Sequence, residues 1–139
     1  MGIIYCEKDR TFTLQTKNTT YQMQVDQYGF FFFFYYGKKT EGCMDYLLTH
    51  YDRGFSGNPY DAGEDRTYSM DTLPQEFPCY GNGDFRSTAF AVENADGSMS
   101  CDLRYKSHKI FEGKYNLEGL PAVYASEEEA QTLEILMED

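Results

Sequence analysis

Ten charged side chains crowd one stretch of this sequence: Asp52, Arg53, Asp61, Glu64, Asp65, Arg66, Asp71, Glu76, Asp84 and Arg86. A carboxylate accepts hydrogen bonds from two vicinal hydroxyls, and a guanidinium donates several in a fixed plane, so such pairs grip a polyol strongly in a partly dry pocket. Composition alone does not select which of them would do so. The same residues serve equally as loop ties, with Asp52-Arg53, Asp65-Arg66 and Asp84-Arg86 holding turns through Asx hydrogen bonds and surface ion pairs. Other chemistries are poorly supplied. Cys6, Cys43, Cys79 and Cys101 contain no C-x-x-C pair, and His50 and His108 have no close histidine or cysteine neighbour, so no metal site is expected. No Ser/His/Asp set and no phosphate-cradling glycine loop is present, and no cofactor is expected.

These charged residues lie in a segment from Tyr51 to Arg86 that holds three of the four prolines and five of the twelve glycines. Connections of that length without regular structure are rare in compact domains unless they are functional or disordered. Disorder fits badly, because Tyr51, Phe55, Tyr60, Tyr68, Met70, Leu73, Phe77, Tyr80 and Phe85 punctuate the stretch. An ordered surface loop is expected.

The flanks read as short strands. Phe12 and Leu14, then Tyr21, Met23 and Val25, alternate with polar residues around Lys17-Asn18-Thr19, which is a hairpin pattern with Thr and Gln on a wet face. Gly2 to Cys6 adds a first strand. Gly29 opens the run FFFFFYY, Phe30 to Tyr36, which shows no alternation and predicts a strand covered on both faces. Its alternative role is a platform on which sugar rings stack. Ser87 to Glu93 and Met99 to Tyr105, joined at Asp96-Gly97, predict a second hairpin, and Ile110 to Tyr115 a further short strand. Ser126 with Glu129 resembles a capping box that supports at most one helical turn. Leu133, Ile135 and Met137 alternate with Glu134 and Glu138 as a last strand. The fold class expected is all-β, an antiparallel β-sandwich.

Twelve basic against 23 acidic residues leave a net charge of -11, which repels phosphate backbones and anionic membrane surfaces. No nucleic acid and no membrane is expected as a partner. No apolar run approaches the ~20 residues of a membrane helix. MGIIYCEKDR lacks the basic start and long apolar core of a secretory signal. Free thiols and a cytoplasmic location are expected.

The strings DRGFSGNP, DRTYSMDTLPQEFPCYGNGDFR, DLRYKSHKIFEGK and GLPAVYASEEEAQTLEI occur here in that order. In this order they resemble the start of bacterial α-galactosidases of glycoside hydrolase family 36, from about Tyr5 to the last residue. The resemblance implies a subunit several times longer, with an N-terminal β-supersandwich, a catalytic (β/α)8 barrel and a C-terminal β-domain. Residues 1–139 would then be a single, incomplete N-terminal domain without the barrel. It further implies that Asp52, of the DR-x-F-S motif, and Arg66, of the DRT motif, bind substrate at a galactose pocket. Family members are commonly tetramers in which this domain reaches a neighbour's barrel. The substrates implied are terminal α-galactosides such as raffinose-type oligosaccharides.

Retaining hydrolysis needs two carboxyl groups about 5 to 5.5 Å apart. Asp52 and Asp65 offer a pair in principle, but a loop gives no means of tuning their pKa values apart. No residue of this chain is assigned as catalytic. The alternative to an α-galactosidase portion is a free-standing β-sandwich module that binds carbohydrate or serves structure alone.

Overall fold

Alternating apolar residues organise the first sheet. The computed structural model describes residues 2–54, 57–121 and 124–139. Strands β1 (Gly2–Cys6), β2 (Thr11–Gln15), β3 (Thr19–Val25) and β4 (Phe31–Lys38) form an antiparallel sheet in the order β1-β2-β3-β4. The register sets Tyr5 opposite Phe12 and Phe12 opposite Met23, with Ile3, Leu14 and Tyr21 in the next row. One face is therefore apolar across the sheet, as the period of two requires.

That face is covered by a second, two-stranded sheet of β5 (Arg104–Glu112) and β6 (Gln131–Glu138). Tyr105, Leu133, Ile135 and Met137 pack on the buried Phe12, Met23, Val25 and Phe31. Phe12 meets Phe31 edge to face, with ring centres 5.8 Å apart. Two facing sheets around one core make the expected all-β sandwich.

The opposite face carries Thr and Gln and was expected to be wet. It is partly covered: Thr20 and Gln22 are buried beneath the chain at residues 40–44. Thr20 exchanges hydrogen bonds with the Thr40 backbone, and Gln22 bonds Gly42 O at 3.1 Å and Met44 N at 3.0 Å. Polar residues are tolerated there because each finds a backbone partner.

The start of strand β4 is covered on both faces, as its missing alternation predicts, with Phe31, Phe32 and Phe34 buried, whereas Phe33 and Tyr36 are exposed. Phe31 joins the inter-sheet core, while Phe30 and Phe32 sit under Ala62, Tyr68, Met70 and Leu73 of the long loop. The loop also pairs with the strand's outer edge: Phe33 N donates to Pro74 O and Glu76 N donates to Phe31 O, at 3.0 and 2.8 Å. An edge of aromatic residues is thus not left open.

Two expectations for the following segment need correction. Residues 87–103 form no hairpin. The Asp96-Gly97 turn exists, with Asn94 N bonded to Ser98 O, but the flanks turn to the loop instead: Ala89 N bonds Pro78 O and Cys101 N bonds Tyr80 O. The strand expected over Ile110 to Tyr115 starts earlier and is continuous from Arg104, with a bulge between Tyr105 and Ser107. Residues Glu127–Glu129 form one 3-10 turn, the single turn expected there.

Candidate functional site

The long loop lies against the rest of the fold through charged clamps whose anchors sit partly outside it. Asp26, just after β3, accepts hydrogen bonds from Tyr28 N and Phe30 N at 2.9 and 2.7 Å, and its other oxygen accepts from the Tyr68 hydroxyl. Arg104, the first residue of β5, lies 3.8 Å from the centre of the Phe30 ring. Its guanidinium donates to Tyr28 O, to Asp61 and to both oxygens of Asp102. A third clamp joins Asp84 and Arg86. Asp84 is 2% exposed, and Arg86 carries its own donors on to Met70 O and Leu73 O at 2.9 and 2.7 Å.

This frame presents both predicted substrate-binding residues at the surface and brings them together. Arg66 Nε stands 3.5 Å from Asp52 Oδ2, with side chains 61% and 50% exposed. Asp52 Oδ1 accepts from Gly54 N at 2.5 Å, and Arg66 Nη2 donates to Gly54 O at 2.7 Å. One glycine backbone therefore holds both side chains. An exposed ion pair of this length is weak, so its groups exchange partners at little cost.

Several other charges of the loop are engaged in ties. Arg53 pairs with Asp71 rather than with Asp52. Asp65 Oδ1 accepts from both the backbone and hydroxyl of Thr67, and these bonds hold its carboxyl below the usual range. Burial pushes the Asp84 carboxyl up, but the hydrogen bonds and charge of Arg86, with the Gln75 amide, carry it below the usual range. Glu76 lies apart, at the cleft between the sheets. Burial raises its carboxyl, and the hydrogen bond from the Tyr21 hydroxyl offsets this only in part.

The histidines serve aromatic packing. His50 packs against Tyr68 in a tilted arrangement, with ring centres 4.9 Å apart, and His108 shares a hydrogen bond of 2.7 Å with the Tyr105 hydroxyl. Among the described residues no cluster of three His, Cys, Asp or Glu side chains is set to hold a metal. No helix there is long and apolar enough to cross a membrane. All four cysteines are free.

Sequence reasoning passed over Asp26 and Arg104. The signal for Asp26 was present: an Asx residue ahead of Gly29 between two strands is a turn former that bonds its own backbone. Arg104 showed only its near neighbour Asp102, because its other partners Tyr28 and Asp61 are remote in sequence.

Comparison with known proteins places this geometry. The family profile of the glycosyl hydrolase family 36 N-terminal domain matches residues 29–139. The bifunctional α-galactosidase/sucrose kinase AgaSK of Mediterraneibacter gnavus is 58% identical over 139 residues, which is 100% of this chain and 15% of that protein. The solved galactosidase domain of AgaSK superposes with a TM-score of 0.94 at 58% identity, over 99% of this chain and 19% of that one. A variant of α-galactosidase AgaA from Geobacillus stearothermophilus, solved with raffinose, gives a TM-score of 0.83 at 44% identity, over 93% of this chain and 18% of that one. The chain thus spans less than a fifth of the length of these relatives.

Proposed function

The chain belongs to the family 36 N-terminal domains of the glycosyl hydrolases, and from that premise we propose that it is the N-terminal, non-catalytic portion of an α-galactosidase. In this reading it forms the first part of a β-supersandwich and contributes Asp52 and Arg66 to a galactose pocket. The catalytic carboxylates are supplied by a barrel elsewhere in the longer subunit. Substrates are terminal α-galactosides of the raffinose type, cleaved with retention. Subunits assemble as a homo-oligomer, a tetramer, which brings this loop to a neighbour's barrel. The four free thiols support work in a reducing compartment, the cytoplasm.

The observation that carries the reading is the convergence of Asp52 and Arg66 on one exposed, backbone-held pair. A sugar with vicinal hydroxyls can donate to the carboxylate and accept from the guanidinium in the same plane. Because neither side chain belongs to the loop's packed layer, their service to a ligand is separable from their service to the fold.

The test is Asp52→Ala in an α-galactosidase subunit that carries this sequence as its N-terminus. Hydrogen bonds to charged groups are worth about 1.5 to 3 kcal/mol, so kcat/KM should fall by about tenfold or more while the melting temperature holds. Unchanged kinetics would remove Asp52 from the pocket. Parallel loss of activity and melting temperature would make Asp52 a loop tie.

A further inference from the structure

Of the four thiols, Cys79 and Cys101 are buried, at 2% and 9% exposed, whereas Cys6 and Cys43 lie at the surface. The buried two are 22 residues apart in sequence and meet where residues 78–81 of the long loop run against residues 89–101. The backbones come close there. Cys101 N donates to Tyr80 O at 2.6 Å and Ala89 N to Pro78 O at 2.9 Å, and a side chain at Gly81 would stand 3.0 Å from Cys101 N. Gly81, with φ of +127°, permits that approach.

The two sulfurs face one another across this junction. Cys79 hydrogen-bonds both the Cys101 thiol and the Leu103 amide. As space-filling groups, two cysteines offer no more than small apolar residues would; what they add is the bond that they can form with each other. Burial pushes both thiols up from the usual cysteine range, so each keeps its proton and the pair is inert at rest.

Access comes from the segment that carries Cys101. Residues 87–103 belong to no strand or helix, and such segments open locally at less cost than the sheets beside them. Cys101 is the more exposed of the two thiols, so a small oxidant meets it first.

We propose that Cys79 and Cys101 form a redox latch, which hydrogen peroxide closes to a disulfide that fastens the long loop to the chain entering β5. The Cys101 thiolate attacks the peroxide, the O–O bond breaks, hydroxide leaves, and the sulfur becomes a sulfenic acid. Cys79 then attacks that sulfur, its own proton goes to the departing hydroxyl, and water leaves as the S–S bond forms. Two thiols and one peroxide give one disulfide and two waters, with two electrons passing from sulfur to oxygen. The closed latch ties residues 78–81 to the segment that ends at Arg104, the clamp on Tyr28 O and Asp61. Transient disulfides of this kind suit a compartment that is otherwise reducing. The latch depends on neither Asp52 nor Arg66.

The test uses the 139-residue chain with Cys6→Ser and Cys43→Ser, so that only the buried thiols remain. It is treated with hydrogen peroxide without denaturant, alkylated and digested with trypsin. Cleavage after Arg66, Arg86 and Arg104 separates the two cysteines, so the disulfide appears as peptide 67–86 joined to peptide 87–104. The joined pair should form, should be split by dithiothreitol, and should raise the melting temperature of the oxidised chain by about 5 to 10 °C. A further Cys79→Ser or Cys101→Ser should abolish both the joined pair and the rise. Peptides recovered separately, with their cysteines alkylated or carried on to sulfinic acid, would overturn the latch. So would a joined pair that forms only in denaturant, or one that lowers the melting temperature, since the folded chain would then not hold the sulfurs in place to bond.

Discussion

Asp84 carries a charge in a nearly closed environment because Arg86, Gln75 and the Arg86 backbone all donate to it. Removing that acceptor with Asp84→Ala leaves Arg86 without its counter-charge, and the melt should report a loss of about 1.5 to 3 kcal/mol. Acid should act through the same group. Asp84, Asp65 and Asp96 all bind protons more weakly in the fold than is usual for carboxylates. Their contribution is complete above the ordinary carboxylate range and is lost as pH falls through their folded values. Glu76, with a raised value, works in the opposite sense, favouring the fold below the ordinary glutamate range and opposing it as pH rises. Asp84 is the buried member of the depressed set, so its protonation on acidification below about pH 4 should lower the melting temperature. Asp84→Asn should flatten that drop, and an unchanged slope would show that the clamp does not set acid stability. At this scale the strings around Asp52 and Arg66 were legible, since each sits in a distinctive local motif. The partnering of Asp52 with Arg66, instead of its neighbour Arg53, was not, because it depends on how the loop closes through Gly54.

Strand β4 shows which patterns a sequence exposes at the scale of elements. A run with no alternation has nothing to tell one face from the other, and both faces are covered from Phe30 to Phe32, while Phe33 and Tyr36 further along are exposed. Phe32→Ala, at a fully buried position, should cost about 3 to 5 kcal/mol in a denaturant melt. Tyr36→Ala, at the exposed end, should stay within about 0.5 kcal/mol. Equal effects would contradict the two-faced packing. The meander β1 to β3 was legible because its apolar residues alternate and local turns join neighbours. Residues 87–103 misled for the same reason. They alternate around a good turn, but Pro78 and Tyr80 of the loop offer their flanks a closer backbone partner than the flanks offer each other. The join across Lys106 to Lys109 in β5 was hidden because a bulge shifts the register and polar residues break the apolar pattern.

For the whole molecule, charge and apolar surface oppose one another. The net charge of -11 keeps copies apart, whereas Ile4, Ile110 and Leu136 are exposed on strands and an apolar cleft of about 490 Å3 opens between the sheets. A two-stranded sheet has little stability of its own, and exposed edges recruit other edges. Salt screens the repulsion and leaves the apolar attraction. Sedimentation velocity should therefore show self-association of the isolated chain that grows with ionic strength. A sharp monomer at every salt concentration would mean that the surface is already satisfied. The sandwich itself was legible from strands and turns, and the family from the ordered strings of the long loop and the strands that follow it. Release of the aryl group from an aryl α-galactoside by the purified chain, measured against buffer, tests the non-catalytic reading most directly. The expected rate equals that of buffer at every chain concentration, whereas turnover that scales with the chain and disappears in Asp52→Ala would contradict it.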